Sequence, residues 1–116
     1  MSGLKYKLIR AAMEVFALPG VAKTIRRFSK CKGVIFTLHR VLPDKPHDFS
    51  PNAILQITPE FLEQAIVACR ENDVDIVDLD EALARMAHEG QTKPFAVFTF
   101  DDGYKDNLQY ALPILK

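Results

Sequence analysis

Two adjacent carboxylates, Asp101 and Asp102, follow an apolar run and immediately precede Gly103. Carboxylates held side by side repel each other, so one takes up a proton or a cation neutralises the pair. A divalent cation bound by one of them leaves the other free to act as a base toward water. Gly103 permits the tight turn that such a pair needs, because it has no Cβ to resist it. Taken alone, Asp-Asp-Gly is equally compatible with two loop residues capping the helix that follows. The paired aspartates of an aspartyl-nucleophile phosphatase are separated by one residue, which argues against that chemistry here. A calcium loop lacks its acidic spacing here as well.

The histidines are His39, His47 and His88, and no two of them have metal-ligand spacing. His88 falls at the end of an expected helix, where a polar or cationic residue suits the dipole. His47 lies in a Pro-rich, solvated stretch. His39 ends the first expected strand and should share a rim with Asp101. A rim role and a hydrogen-bonded structural role are equally open for it. Cys31 and Cys69 are far apart in the chain. They read as thiols rather than a disulfide, with Cys69 buried as a small apolar residue.

The elements that must position these groups alternate in type. Residues 33–38 (GVIFTL) and 95–100 (FAVFTF) are nearly continuous apolar runs, as in strands buried on both faces. A shorter strand is expected at 74–77, where Val74 and Ile76 alternate with Asp73 and Asp75. Thr58-Pro59 starts a helix, with Thr as N-cap and Pro at the first helical position, and Phe61, Leu62, Ala65, Ile66 and Cys69 form its stripe. Asp78 with Glu81 resembles a capping box, and Leu83, Met86 and Ala87 carry that helix toward Gly90. Residues 41–51 hold three prolines and form a loop. Beyond the motif, Pro113 implies a kink or a helix that begins near Leu112. This strand–helix order predicts an α/β fold with a parallel sheet and right-handed crossovers.

A composition of 48% apolar and 26% charged residues excludes a disordered chain and describes one ordinary core. The net charge of zero conceals an asymmetry. Residues 1–32 carry eight Lys/Arg against Glu14 alone, whereas residues 33–116 carry seven against fourteen acids. The first segment contains an expected helix over 4–16, a break at Pro19-Gly20, and a short basic helix over 21–29. It is read either as an extension docking on the core or as a basic amphipathic surface making a peripheral membrane contact. No apolar stretch is long enough to span a bilayer, and Arg10 and Glu14 interrupt any signal-peptide core. A cytoplasmic location is the default, and no nucleic-acid partner is expected.

Residues 98–106, FTFDDGYKD, resemble the first signature of the polysaccharide deacetylase family, which includes chitooligosaccharide and peptidoglycan deacetylases. Leu38-His39-Arg40-Val41, Thr58-Pro59-Glu60-Phe61, Val77-Asp78-Leu79-Asp80-Glu81-Ala82-Leu83 and Tyr110-Ala111-Leu112-Pro113-Ile114-Leu115 are similar to segments of one large subgroup, in its order and spacing. The resemblance implies that residues 33–116 form the first three strand–helix units of a distorted (β/α) barrel of about twice this length, preceded by a basic helical segment, 1–32. It implies Asp101 as the general base, Asp102 as a ligand of a divalent metal, commonly zinc, and an N-acetylated carbohydrate as substrate. His39 and Tyr104 are then candidates for a substrate-facing rim, with packing the alternative for Tyr104.

The family takes two further metal ligands from a His-(Ser/Thr)-x-x-His segment, and its general acid from a later His. Neither is found in this sequence. Little or no activity is therefore expected of these residues alone, and a non-catalytic module binding sugar, a partner chain or a membrane is the alternative. A partial barrel would also leave a sheet edge after the third strand, open to self-association.

Overall fold

Residues 95–100 alternate two apolar faces along an extended chain, and the fold uses both of them. In the computed structural model, which describes residues 3–44 and 48–116, this segment is the central strand of a small parallel sheet. The elements in chain order are α1 (Gly3–Phe16), α2 (Pro19–Phe28), β1 (Gly33–Leu38), β2 (Arg40–Val41), β3 (Gln56–Ile57), α3 (Pro59–Glu71), β4 (Asp75–Ile76), α4 (Leu79–Ala87), β5 (Phe95–Phe100) and α5 (Leu112–Leu115). A 3₁₀ turn (Ala53–Leu55) precedes β3 and a π-helical turn (Asn107–Ala111) precedes α5. The main sheet has the order β1-β5-β4, and β2 pairs with β3 in a second parallel ladder. The chain divides into two compact units, Met1–Cys31 and Lys32–Lys116.

Within the second unit the two faces of β5 bury different partners. Phe95 and Val97 join Ala82 of α4, with Val77 packed alongside. On the other face Phe98 and Phe100 pack against a cluster of Val41, Leu62, Ile66 and Ala111 drawn from β2, α3 and the π-helical turn. Register on β1 is in phase from Gly33↔Phe95 to Leu38↔Phe100. A Cβ on Gly33 would lie 2.5 Å from the Phe95 ring, so glycine is required there by the ring packed across it.

Local signals explain the helix boundaries. Thr58 Oγ1 accepts from the Phe61 amide at 3.1 Å, and Asp78 Oδ1 accepts from the Glu81 amide at 2.9 Å. Each thereby satisfies an otherwise unpaired helix-start donor. The Glu81 side chain turns to Arg85 instead of completing a capping box. The Lys32 ammonium donates to the carbonyls of Arg85, Met86 and His88, so a lysine from before β1 neutralises the carboxyl end of α4. Lys32 thus belongs with the second unit, whereas the charge pattern placed it in the basic segment. His88 is only the C-cap residue. Pro113 cannot donate to a carbonyl one turn back, and the regular α-helix starts at Leu112 behind a widened turn.

Several expectations from pattern alone need correction. β1 is not buried on both faces: it is an edge strand, and Val34, Ile35 and Phe36 are exposed. The third strand of the expected order, β5, lies between the other two, so the sheet edges belong to β1 and β4. The order of strands is therefore not the consecutive one that a run of barrel units would present. β4 is only two residues long, and Asp73, two positions before it, adopts a left-handed φ of 58°. Val41, assigned to a loop, is fully buried within a two-residue strand. Cys69 is half-buried rather than buried. Phe61, Leu83 and Met86 point to solvent, leaving Leu62, Ile66 and Ala82 as the buried positions of α3 and α4. His47 lies outside the described residues.

Candidate functional site

The chain leaves β5 through Asp101, whose amide donates to the Leu38 carbonyl at 2.8 Å and so extends the β1–β5 ladder by one rung. Asp101 and Asp102 therefore stand at the carboxyl end of the central strand, where parallel α/β sheets collect their ligands. Asp102 has φ 68° and Gly103 has φ 59°, two consecutive left-handed residues that reverse the backbone. Nothing crowds a Cβ built on Gly103, so its requirement for glycine is conformational rather than steric. For Asp102 the left-handed value costs less than it would for most residues with a Cβ, since aspartate is among the few that visit this region. Both carboxylates are exposed.

His39 follows β1, one position beyond the Leu38↔Phe100 pair, as Asp101 follows β5. It is half-buried, and its carbonyl accepts from Asn107 Nδ2 at 3.0 Å. The Tyr104 ring, also half-buried, lies under the Arg40 guanidinium at 4.7 Å, a cation–π arrangement. Tyr104 thus serves as a packing surface for Arg40.

The residues that knit this rim together were not singled out from sequence. Asp106 is 5% exposed and pairs through Oδ2 with Arg40 Nε at 3.0 Å. With Asn107 on His39, two side chains after the Asp-Asp-Gly turn grip the end of β1. Asp106 Oδ1 and Asn107 Oδ1 are buried without hydrogen-bond partners. One signal was available: a carboxylate at the start of an apolar helix, on a segment that returns beside an arginine at a strand end. A carboxylate is rarely buried unless such a cation accompanies it.

Among the described residues, no group of three or more His, Cys, Asp or Glu side chains is placed to hold a metal ion. Catalytic zinc normally has three protein ligands, so Asp101 and Asp102 do not by themselves fit one. A hollow of about 280 Å³ lined by Arg70, Asp73, Asp75 and Lys93 lies at the other end of the sheet, where Asp75 pairs with Phe95. Three of its charged groups are tied up in ion pairs: Lys93 bridges Asp73 and Asp75, and Arg85 bridges Asp75 and Glu81. The first hydrogen bond, from Lys93, and the second, from Arg85, hold the Asp75 carboxyl below its ordinary range. This cluster is a structural clamp on β4. Compared with family models, curated proteins and solved structures, the chain shows no significant match.

Proposed function

We propose that residues 32–116 carry the first catalytic segment of a metal-dependent carbohydrate N-deacetylase, with Asp101 as the base that takes a proton from water. The observation that carries this reading is the Asp101-Asp102-Gly103 reversal at the carboxyl end of the central strand, tied to His39 and Arg40 by Asp106 and Asn107. A base on a rigid strand end, beside a second carboxylate that can face a cation, matches the demand of amide hydrolysis at a sugar. Two further features support an active centre completed by additional groups. The unpaired oxygens of Asp106 and Asn107 call for donors, and the apolar side chains exposed on β1 suit coverage by further protein.

One carboxylate does not hold a catalytic zinc, so the 116-residue chain should release little or no acetate from chitooligosaccharides, with or without added zinc or cobalt. If the reading frame continues, the same assay on the longer protein is decisive. A His-(Ser/Thr)-x-x-His segment should follow, and Asp101→Asn should abolish acetate release. Turnover indifferent to Asp101→Asn would reject the assignment of Asp101.

The exposure of both carboxylates and the incomplete donor set favour a second reading, a non-catalytic deacetylase-like module. Calorimetry with zinc tests the second reading for this chain. Stoichiometric micromolar binding that Asp102→Asn removes would reject the non-catalytic module, whereas both readings expect no such binding from the donor set described.

A further inference from the structure

The segment Met1–Cys31 folds into α1 and α2, and neither helix has a buried residue among those described. On α1 the large apolar side chains cover most of the circumference. Leu4, Leu8 and Val15 recur at helical spacing, Ile9, Met13 and Phe16 do so beside them, and each is more than half exposed. Lys7, Arg10 and Glu14 form a polar strip, and Lys5 is a single cation among the apolar side chains, long enough to carry its ammonium out to a headgroup. On α2 the division is sharper: Val21, Ile25 and Phe28 share one face, and Lys23 and Arg27 stand opposite. Phe28 is 80% exposed. A soluble helix does not ordinarily present this much apolar surface to water.

Charge identifies what covers it. The unit holds seven Lys/Arg and one acid, Glu14, and that acid is already paired with Arg10 at 3.1 Å. A second copy would set one strongly basic surface against another. A nucleic acid would satisfy the lysines and arginines but give the leucine, isoleucine and phenylalanine side chains nothing to enter. An anionic bilayer surface satisfies both, with phosphate headgroups for the cations and the acyl boundary for the apolar faces. At fourteen residues α1 is too short to span a bilayer, and no described helix is long and apolar enough to cross one. We propose that α1 and α2 form an interfacial anchor that lies in the surface of an anionic membrane. The anchor does not depend on the deacetylase assignment, and its test reads lipid binding alone.

The chain contains no tryptophan, so Phe28→Trp provides a clean reporter. Its emission should shift to the blue with phosphatidylcholine vesicles containing about one-third phosphatidylglycerol. The apparent affinity should fall at least about tenfold on pure phosphatidylcholine, and again at high salt. Vesicle flotation of the unlabelled chain should follow the same order. Two variants separate the contributions, and both change exposed side chains outside the sheet unit. Ile9→Asp with Phe16→Asp should abolish flotation at low salt, and Lys23→Glu with Arg27→Glu should remove the preference for anionic lipid. Flotation unaffected by either variant overturns the proposal. So does emission already blue without lipid, which would mean the face is covered by protein, or binding to RNA that survives the Ile9→Asp, Phe16→Asp change.

Discussion

Arg40 Nε lies 3.0 Å from Asp106 Oδ2, and through this pair the start of β2 holds the turn that follows the adjacent carboxylates. The two partners differ in exposure, 36% for the arginine side chain and 5% for the aspartate. Removing the cation would therefore strand a buried carboxylate that already has one unpaired oxygen. Arg40→Met should cost roughly 2 kcal/mol, less than for a fully buried pair because solvent reaches the guanidinium. Asp106→Asn should cost less, since a neutral amide tolerates burial better. Urea denaturation of both single variants and the double variant checks this, and additive losses would show that the pair is not coupled.

Gly33 faces the ring of Phe95, which is 2% exposed and cannot swing into solvent. Gly33→Ala should destabilise the chain by about 1–3 kcal/mol through overpacking. Adding Phe95→Leu to Gly33→Ala should recover part of the loss if the clash is the cause. Thermal melts of the two variants decide it; no recovery would point instead to the strand backbone.

The left-handed residues at the motif make opposite predictions for similar changes. Gly103→Ala has open space for its methyl group yet should lose about 1 kcal/mol, because only the backbone conformation is penalised. Asp102→Gly should be neutral or slightly stabilising, and Asp102→Val should cost more than Gly103→Ala since a β-branched residue resists this φ. Equilibrium unfolding in this order supports a rigid reversal, whereas equal stabilities would indicate that the turn relaxes freely.

The β4 clamp sets a pH dependence. Asp75 titrates below its ordinary value of 3.8 when folded, so its contribution is present above that value and is lost as pH falls through the lower folded one. Lys93 moves the other way, raised above 10.5 by its hydrogen bonds, first to Asp75 and then to Asp73. Its contribution holds below that value and disappears as pH rises through the folded one. Denaturation midpoints should fall at both extremes, and Lys93→Gln should flatten both slopes. A Lys93→Gln profile parallel to the parent at low pH would exclude the clamp.

Much of the local structure was legible because it is written in nearest neighbours. Thr58 and Asp78 cap the helices that follow them, Pro113 displaces the last helix to Leu112, and the apolar runs 33–38 and 95–100 are strands. These outcomes follow from dihedral preference and short-range hydrogen bonding, which a sequence states directly. The tight turn at Gly103 was visible for the same reason, whereas the left-handed φ of Asp102 was not.

What the tertiary structure decided is who stands beside whom. Two apolar runs of equal length looked alike, yet β5 is central and β1 is an edge, since strand order depends on pairing between segments some sixty residues apart. Lys32 neutralises the end of α4, Val41 enters the core, and Arg40 finds Asp106 only because the sheet brings their segments together. Sequence determined that carboxylates would meet at a strand end; which side chains brace that end was settled by long-range pairing, whose closure entropy and packing no local pattern encodes.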